Sequence, residues 1–197
     1  MSSRNVVIII IVALIVLMGG CTITGYNSLV KADQNVKDVW GNVQTNYQRR
    51  TDLYGSVIKV VQGSANFEKS TLKEVMDARA RATNIKVDIN DSQSLARFQQ
   101  VQGQLQSSFS RLMAVAEAYP DLKSTKAFMD FQTQIEGTEN RINVARQDYN
   151  KAVNAYNLKV KTFPSNVFSG IFGFHAKPFY NANPGSENPP DINFDIK

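Results

Sequence analysis

Apolar residues recur at alternating intervals of four and three along most of the chain. The first stripe extends from Asn27 to about Gly63 and comprises Val36, Trp40, Val43, Tyr47, Arg50, Tyr54, Val57 and Val61. Residues with this spacing share one face of an α-helix. No proline interrupts the stripe, and Gly63-Ser64 provides a stop. The pattern therefore predicts a helix about 55 Å long, at ~1.5 Å of rise per residue.

Three further helices are predicted by the same criterion. The second covers Phe67 to about Ile85, and the third covers Ser92 to Tyr119 with Asp91 as its N-cap. Pro120 ends the third helix, because the residue before a proline disfavours helical dihedrals. The fourth helix is capped by Ser124, extends to about Thr162 and is stopped by Pro164.

Four amphipathic helices joined by short turns must bury their apolar faces against one another. The sequence therefore predicts an all-α protein, with an antiparallel up-down-up-down four-helix bundle over residues 27–163. The first and fourth helices are the long ones. The alternative is an open, dimeric coiled coil built from long hairpins.

The short second helix leaves one stretch of the bundle without a fourth wall, on the side nearer the N-terminus. An irregular, aromatic-rich C-terminal tail, residues 164–197, emerges at the same end. Burying aromatic side chains is worth roughly 1.5–3 kcal/mol each. The tail is predicted either to pack on the bundle as the missing wall or to contact a membrane surface or a partner. Within it, residues 183–190 look flexible, and residues 193–196 form a candidate strand-like clip.

The N-terminus indicates where the protein works. Thirteen apolar residues, Val6 to Met18, precede Gly19-Gly20 and the single cysteine, Cys21. This order is typical of a bacterial lipoprotein signal over residues 1–20, with Cys21 as the lipidation site and residues 21–26 as a short tether. The alternative is an uncleaved, tilted membrane anchor. Either one predicts a membrane-anchored protein of the bacterial cell envelope whose bundle lies outside the cytoplasm, on the outer membrane or the outer face of the inner membrane.

The amino-acid composition limits the kinds of site that the chain can form. One cysteine and one histidine, His175, supply neither a disulfide nor a histidine-rich metal site. The formal net charge of +5 is spread along the chain without a basic block, which argues against nucleic acid as a partner. No phosphate-binding glycine loop is present. We therefore predict no metal, no cofactor and no enzymatic activity; an enzyme here would have to use carboxylates, lysines or tyrosines.

Two polar residues, Arg50 and Gln102, fall on the predicted buried stripes. A buried arginine is costly unless a carboxylate meets it, and residues 117–121 and 136–140 offer candidates. We interpret these groups as a structural polar network or, alternatively, a partner site, comprising Arg49, Arg50, Asp52, Glu117, Asp121, Glu136 and Glu139. The pairs Tyr149-Asn150 and Tyr156-Asn157 recur seven residues apart, as expected of buried tyrosines whose hydroxyls need partners.

Several blocks resemble the signature segments of the LemA family. They are Tyr26-Asn-Ser-Leu-Val30, Gln48-Arg-Arg-Thr-Asp-Leu53, Glu117-Ala-Tyr-Pro-Asp-Leu122, Thr138-Glu-Asn-Arg-Ile142, Tyr149-Asn150 and Phe163-Pro-Ser-Asn166. The resemblance spans about residues 26–180 and implies a membrane-associated bacterial protein with an antiparallel helical bundle. Where the family continues Ile-Pro-Asn-Leu-Val, this chain has Tyr54-Gly-Ser-Val-Ile58, so its first helix should be straighter. Many members keep a spanning N-terminal helix, whereas this chain has the cysteine. The resemblance supplies no reaction.

The leading functional prediction is a non-enzymatic, lipid-tethered scaffold or adaptor for another envelope protein. The alternative is a ligand- or peptide-binding module with its groove beside the short second helix. A hydrolase using Glu117, Asp121 and Arg50 is a third hypothesis, and it requires those three side chains to converge in an open pocket.

Overall fold

A computed structural model describes residues 3–63 and 67–181. These residues form six helices and no strand: α1 Ser3–Gln62, α2 Lys69–Asn84, α3 Ser92–Ala116, α4 Pro120–Lys123, α5 Lys126–Lys161 and α6 Ser165–Phe172. The prediction of an all-α protein is confirmed, although six helices are present where four were predicted. The predictions for residues 183–190 and 193–196 lie outside the described residues.

Helix α1 is continuous over 60 residues, about 90 Å at ~1.5 Å per residue. Residues 21–26, predicted as a tether, are helical and join the apolar segment to the bundle without a break. The hydroxyls of Thr22 and Thr24 donate to the carbonyls of Met18 (2.8 Å) and Gly20 (2.9 Å), one turn earlier in the same helix. By length and composition, α1 is the one helix of the described residues apolar enough to cross a membrane, and a signal sequence would have the same character.

Contacts between helices fix their relative directions. At Ser28, in the middle part of its length, α1 meets the end of α5, since Lys159 Nζ donates to Ser28 Oγ at 2.9 Å. Further along, Arg50 of α1 meets Glu139, in the first half of α5. The two helices are therefore antiparallel. Helix α2 also runs opposite to α1. Helix α3 runs parallel to α1, because Trp40 contacts Phe98 and Tyr54 contacts Phe109.

The buried side chains form two apolar clusters along this axis. The proximal core, nearer the apolar N-terminal segment, contains Leu29, Val36, Trp40, Val43, Tyr47, Ile89, Leu95, Phe98, Ile142, Ala145, Tyr149, Ala152, Val153, Tyr156, Val160 and Tyr180. The distal core contains Tyr54, Val57, Ile58, Val61, Phe67, Val75, Ala78, Ala82, Leu105, Phe109, Leu112, Ala116, Leu122 and Phe128. All eight predicted stripe positions of α1, Arg50 included, are buried.

Helix ends agree with the predictions in part. Asp91 caps α3 as predicted, accepting from the amides of Gln93 and Ser94. The fourth long helix is capped by Thr125 rather than Ser124, because Ser124 belongs to the turn after α4 and the Thr125 hydroxyl accepts from the amide of Phe128. The tail was predicted to be irregular, but residues 165–172 form α6, which ends at Gly173 in the left-handed conformation that glycine adopts readily.

Candidate functional site

Arg50 lies in α1 between the two cores. Its side chain is 2% exposed, and its guanidinium donates to three acceptors on neighbouring helices. Nη1 reaches Glu139 Oε1 of α5 at 3.2 Å, while Nη2 reaches Gln102 of α3 through the amide oxygen (2.6 Å) and the backbone carbonyl (3.1 Å). We call Arg50, Gln102 and Glu139 the arginine layer. The layer ties α1, α3 and α5 together in one register.

Two tyrosines of α1 sandwich the arginine. The guanidinium carbon lies 4.8 Å from the ring centre of Tyr47 and 5.8 Å from that of Tyr54, one turn away on either side. The Tyr54 hydroxyl also donates to Glu139 Oε1 at 3.3 Å. Burial raises the pKa of both tyrosines. Aromatic faces and a carboxylate together offset the desolvation of the buried cation.

A polar cavity of about 200 Å³ adjoins the arginine layer. Its lining includes Gln99, Gln106, Asn143 and Arg146. Arg50 Nε is buried and has no hydrogen-bond partner among the described residues. Among the described residues, the lining consists mainly of amide, guanidinium and phenol groups, which can donate and accept hydrogen bonds.

The other predicted site residues are dispersed. Arg49, Asp52, Glu117, Asp121 and Glu136 are all exposed. Asp52 accepts from Gln48 on its own helix at 3.0 Å, and Glu117 pairs with Lys123. Of the predicted set, the structure brings together only Arg50 and Glu139. Glu139 lies in one of the two stretches predicted to supply a carboxylate.

The hydrolase hypothesis required Glu117, Asp121 and Arg50 to converge, and they do not. Arg50 contacts α3 at Gln102, and Glu117 follows fifteen residues later at the C-cap of α3. That separation is about 20 Å along a helix. Nor do three His, Cys, Asp or Glu side chains assemble into a metal site within the described residues.

A second polar site, which was not predicted from the sequence, holds the tail against α5. Asn157 Nδ2 donates to the carbonyl of Lys177 (2.9 Å) and Asn157 Oδ1 accepts from the amide of the same residue (2.8 Å). Asn150 makes the same pair of bonds with Tyr180, at 2.9 and 2.8 Å. We call Asn150 and Asn157 the asparagine clamp. The clamp satisfies the backbone of an extended segment that has no neighbouring strand in the part of the chain that the structure describes.

Lys177 is buried within this segment. Its side chain is 4% exposed and pairs with Asp33 Oδ1 of α1 at 2.9 Å. The ammonium also donates to Asn90 and lies 5.3 Å from the ring centre of Tyr156. Burial alone would raise the pKa of Asp33, but hydrogen bonds from Lys37 and Lys177 outweigh it and lower the pKa. Lys177 thus links the tail to α1, α5 and the α2–α3 connection.

Tyr180 closes the proximal core. It is 5% exposed, and its hydroxyl lies 2.5 Å from that of Tyr47. Arg146 covers the outer face of the ring, with the guanidinium carbon 4.3 Å from its centre. Burial raises the pKa of Tyr180. The described part of the tail, residues 164–181, therefore supplies packed and hydrogen-bonded groups to the half of the bundle that α2 does not reach.

The sequence did contain a signal for the clamp. The repeat Tyr149-Asn150 and Tyr156-Asn157 was interpreted through its tyrosines alone, and Tyr149 does find a partner in the carbonyl of Pro178 at 3.2 Å. The asparagines beside them were the informative residues. Two amides seven residues apart on a helix occupy nearly the same face, and they match backbone groups three residues apart in an extended chain.

Helices packed around a buried polar layer, with an apolar N-terminal helix end and an extended tail clamped to the bundle, place the protein in the class of helical-bundle proteins. The sequence profile of the LemA family matches residues 39–194. The chain belongs to the LemA family, and the resemblance found in its sequence is thereby confirmed.

Three related proteins are identical to this chain at about a quarter of the aligned residues. Magnetosome protein MamQ 2 of Paramagnetospirillum magneticum is 25% identical over 186 residues, covering 83% of this chain and 67% of the relative. Protein LemA of Metamycoplasma hominis is 28% identical over 141 residues, covering 71% and 61%. Magnetosome protein MamQ of Magnetospirillum gryphiswaldense is 22% identical over 183 residues, covering 83% and 67%. The chain thus spans about two thirds of these relatives.

Proposed function

We propose that this protein is a membrane-tethered, non-enzymatic scaffold or adaptor of the bacterial cell envelope. Its helices α1, α2, α3 and α5 act as one up-down-up-down rod outside the cytoplasm. The observation that carries this proposal is the continuity of α1 from Cys21 onward: residues 21–26 are helical, so the lipid on Cys21 or an uncleaved apolar segment would be joined to the buried stripe of the bundle with no break. A rod joined in this way to its anchor holds a partner at a fixed height above the bilayer.

The polar sites support a structural role. The arginine layer and the asparagine clamp form their hydrogen bonds within the protein. The three residues of the hydrolase hypothesis are far apart. Relatives carrying the names LemA and magnetosome protein MamQ match the same bundle. The same helical bundle therefore occurs in proteins whose names refer to different settings. This favours a common role in presenting partner proteins over a common reaction, since a fold by itself does not determine an activity.

Lipidation of Cys21 is the form of tether that we propose. In Cys21→Ser we expect an uncleaved precursor without fatty acid, whereas Thr22→Ser, which keeps the cysteine, retains its label. The measurement is metabolic labelling with a radioactive fatty acid, together with the gel mobility of both variants. Label persisting in Cys21→Ser would refute lipidation. A wild-type chain of precursor size without label would identify the uncleaved anchor instead.

The scaffold role is tested by breaking the rod. We expect affinity capture from intact membranes, followed by mass spectrometry, to recover an envelope protein with the wild-type chain. A flexible glycine-serine insertion after Asn27 should abolish that recovery while leaving the chain in the membrane fraction. A matched insertion after Gly63, in the turn before α2, should keep the partner. Equal recovery with both insertions would contradict a rod that sets the partner's height.

A second candidate, a peptide-binding module, is favoured by the asparagine clamp. Paired side-chain amides bind the backbone of any extended segment, and here they hold the chain's own tail beyond the end of the short α2. We expect a peptide with the sequence of residues 173–181 to raise the melting temperature of a chain truncated after Gly173. The same peptide should not affect a truncated Asn157→Ala chain. No shift in the first case would eliminate this function.

A further inference from the structure

The exposed apolar surface of the tail is concentrated on α6 and the residue before its cap. Phe163, Val167 and Ile171 are 83%, 50% and 70% exposed. Val167 and Ile171, four residues apart, lie along one side of α6, and Phe163 lies just before the N-cap of the same helix. Helix α6 contains no charged residue. A stripe of this kind on a small protein is costly in water and marks a contact surface.

The opposite side of α6 is fixed to α1 at Gly25 and Tyr26. The Phe168 ring lies on the backbone of Gly25, where a Cβ atom would come within 2.8 Å of it. One residue later, the Tyr26 ring packs against Phe172 with ring centres 4.9 Å apart. The side chain of Ser169 is buried and donates to the carbonyl of Val160 at 2.9 Å. These contacts set the height of α6 along α1.

That height coincides with the membrane boundary. Residues 5–30 of the chain contain no charged side chain, and about 20 apolar residues span the hydrocarbon core. A span that begins near Asn5 therefore ends near Gly25. If the chain is instead cleaved and lipidated at Cys21, Gly25 is only about 6 Å along the helix from the lipid. Either anchor leaves α6 at the interface.

The surrounding charges fit an anionic surface. Lys31, Lys159 and Lys161 are exposed. Lys159 is placed at the level of Ser28 by its hydrogen bond, and Lys31 is less than one turn further along α1. Basic residues at this level face lipid headgroups, and tyrosines such as Tyr26 favour the same depth. The apolar stripe and the lysines together are the pattern of an interfacial helix.

We propose that Phe163 and α6 form an interfacial foot, which inserts Phe163, Val167 and Ile171 into the boundary between headgroups and acyl chains of the bilayer that holds the N-terminus. The foot requires the membrane tether proposed above. It gives the bundle a second point of contact with the membrane. Two separated contacts fix the tilt and rotation of the bundle, which one helix or one lipid cannot do.

The test uses the full chain reconstituted in vesicles of phosphatidylethanolamine and phosphatidylglycerol whose acyl chains are brominated near the headgroup. In Ile171→Trp, the added tryptophan emission should be largely quenched. In the matched control, Val144→Trp, a position 50% exposed on the middle of α5, the added emission should persist. Native Trp40, which is buried in the proximal core, should also be unquenched and serves as an internal reference.

Flotation of the same vesicles distinguishes failure of the foot from failure of the membrane tether. A chain that floats with the vesicles while Ile171→Trp remains as bright as Val144→Trp would overturn the foot and leave the tether standing. A chain that does not float would remove both. Blue-shifted but unquenched emission would mean that protein, such as a second copy, covers the stripe, and the foot would again be wrong. Adding Phe163→Asp to Ile171→Trp should restore most of the lost emission; undiminished quenching would contradict the assigned stripe.

Discussion

The two halves of the bundle solve the same packing problem differently. The distal core is enclosed by helices, with apolar contacts such as the stacked rings of Tyr54 and Phe109, 3.6 Å apart. The proximal core lacks α2, and the extended tail packs in its place through the asparagine clamp, Lys177 and Tyr180. A helix satisfies its own backbone, whereas an extended segment needs outside donors and acceptors. The proximal half is therefore the one that depends on specific polar residues.

The largest effect is expected at the boundary between the halves. Arg50→Ala should lower the free energy of unfolding by about 2–5 kcal/mol, because it leaves the buried Gln102 amide oxygen without its donor and leaves Glu139 with only the Tyr54 hydroxyl. Urea denaturation of the detergent-solubilised chain, followed by circular dichroism, measures the change. The exposed neighbour provides the control, since Arg49→Ala should stay within about 0.5 kcal/mol. An unchanged midpoint for Arg50→Ala would mean that the layer is not stabilising.

Asn157→Ala tests whether the clamp holds the proximal wall. It leaves the amide and carbonyl of Lys177 without partners, and we expect a cost of about 1–3 kcal/mol. The loss should be local, so amide hydrogen exchange should accelerate over residues 174–181 and remain unchanged in α2. Asn154→Ala removes an exposed asparagine one turn earlier and should alter neither. Equal exchange of the tail in the two variants would contradict the clamp.

Alkaline pH should weaken the proximal half gradually. Burial raises the pKa of Tyr149 to about 12, and burial together with Asp33 raises that of Tyr156 to about 12, against about 10 in the unfolded chain. The folded state holds these protons more tightly, so their stabilising contribution is complete below pH 10 and is lost as the pH rises from 10 to 12. Denaturation midpoints across that range should fall, and less steeply in Tyr156→Phe. Identical slopes would exclude Tyr156 as a contributor.

The smallest effect is expected on the distal surface. Asp77→Asn removes the carboxylate that pairs with Lys73 one turn earlier on α2, at 2.6 Å. Both side chains are exposed, so the free energy of unfolding, measured from the denaturation midpoint, should change by less than about 0.5 kcal/mol. A cost similar to that of Asn157→Ala would show that the distal half also relies on specific polar contacts, and the contrast between the halves would disappear.

The long helices were predictable because each carries a sustained apolar period. The stripe of α1 from Val36 to Val61 is buried at every predicted position. Burial of Arg50 followed from the same pattern, since it occupies a stripe position. Its partner did not follow, because residues 117–121 and 136–140 both offered carboxylates. The choice of Glu139 depends on the register between α1 and α5, which the apolar period of neither helix specifies.

Elements that depend on distant partners were missed. Helix α6 has only eight residues, follows Pro164 and includes Gly170, so no periodic signal distinguishes it from a loop. The clamp joins Asn157 to a residue 20 positions later and Asn150 to one 30 positions later. Local propensity contains no information on such pairings. The burial of Lys177 was equally invisible, because it depends on Asp33 at the other end of the chain.

The unbroken course of α1 also makes the protein a lever. From Gly25, which contacts the proposed interfacial foot, to Gln62 the helix extends about 55 Å. If the foot left the bilayer and the tilt of α1 changed by about 10°, the far turn would therefore swing sideways by about 10 Å. Release of the foot at the base would thus be delivered to the tip as a displacement large enough to engage or release whatever binds there.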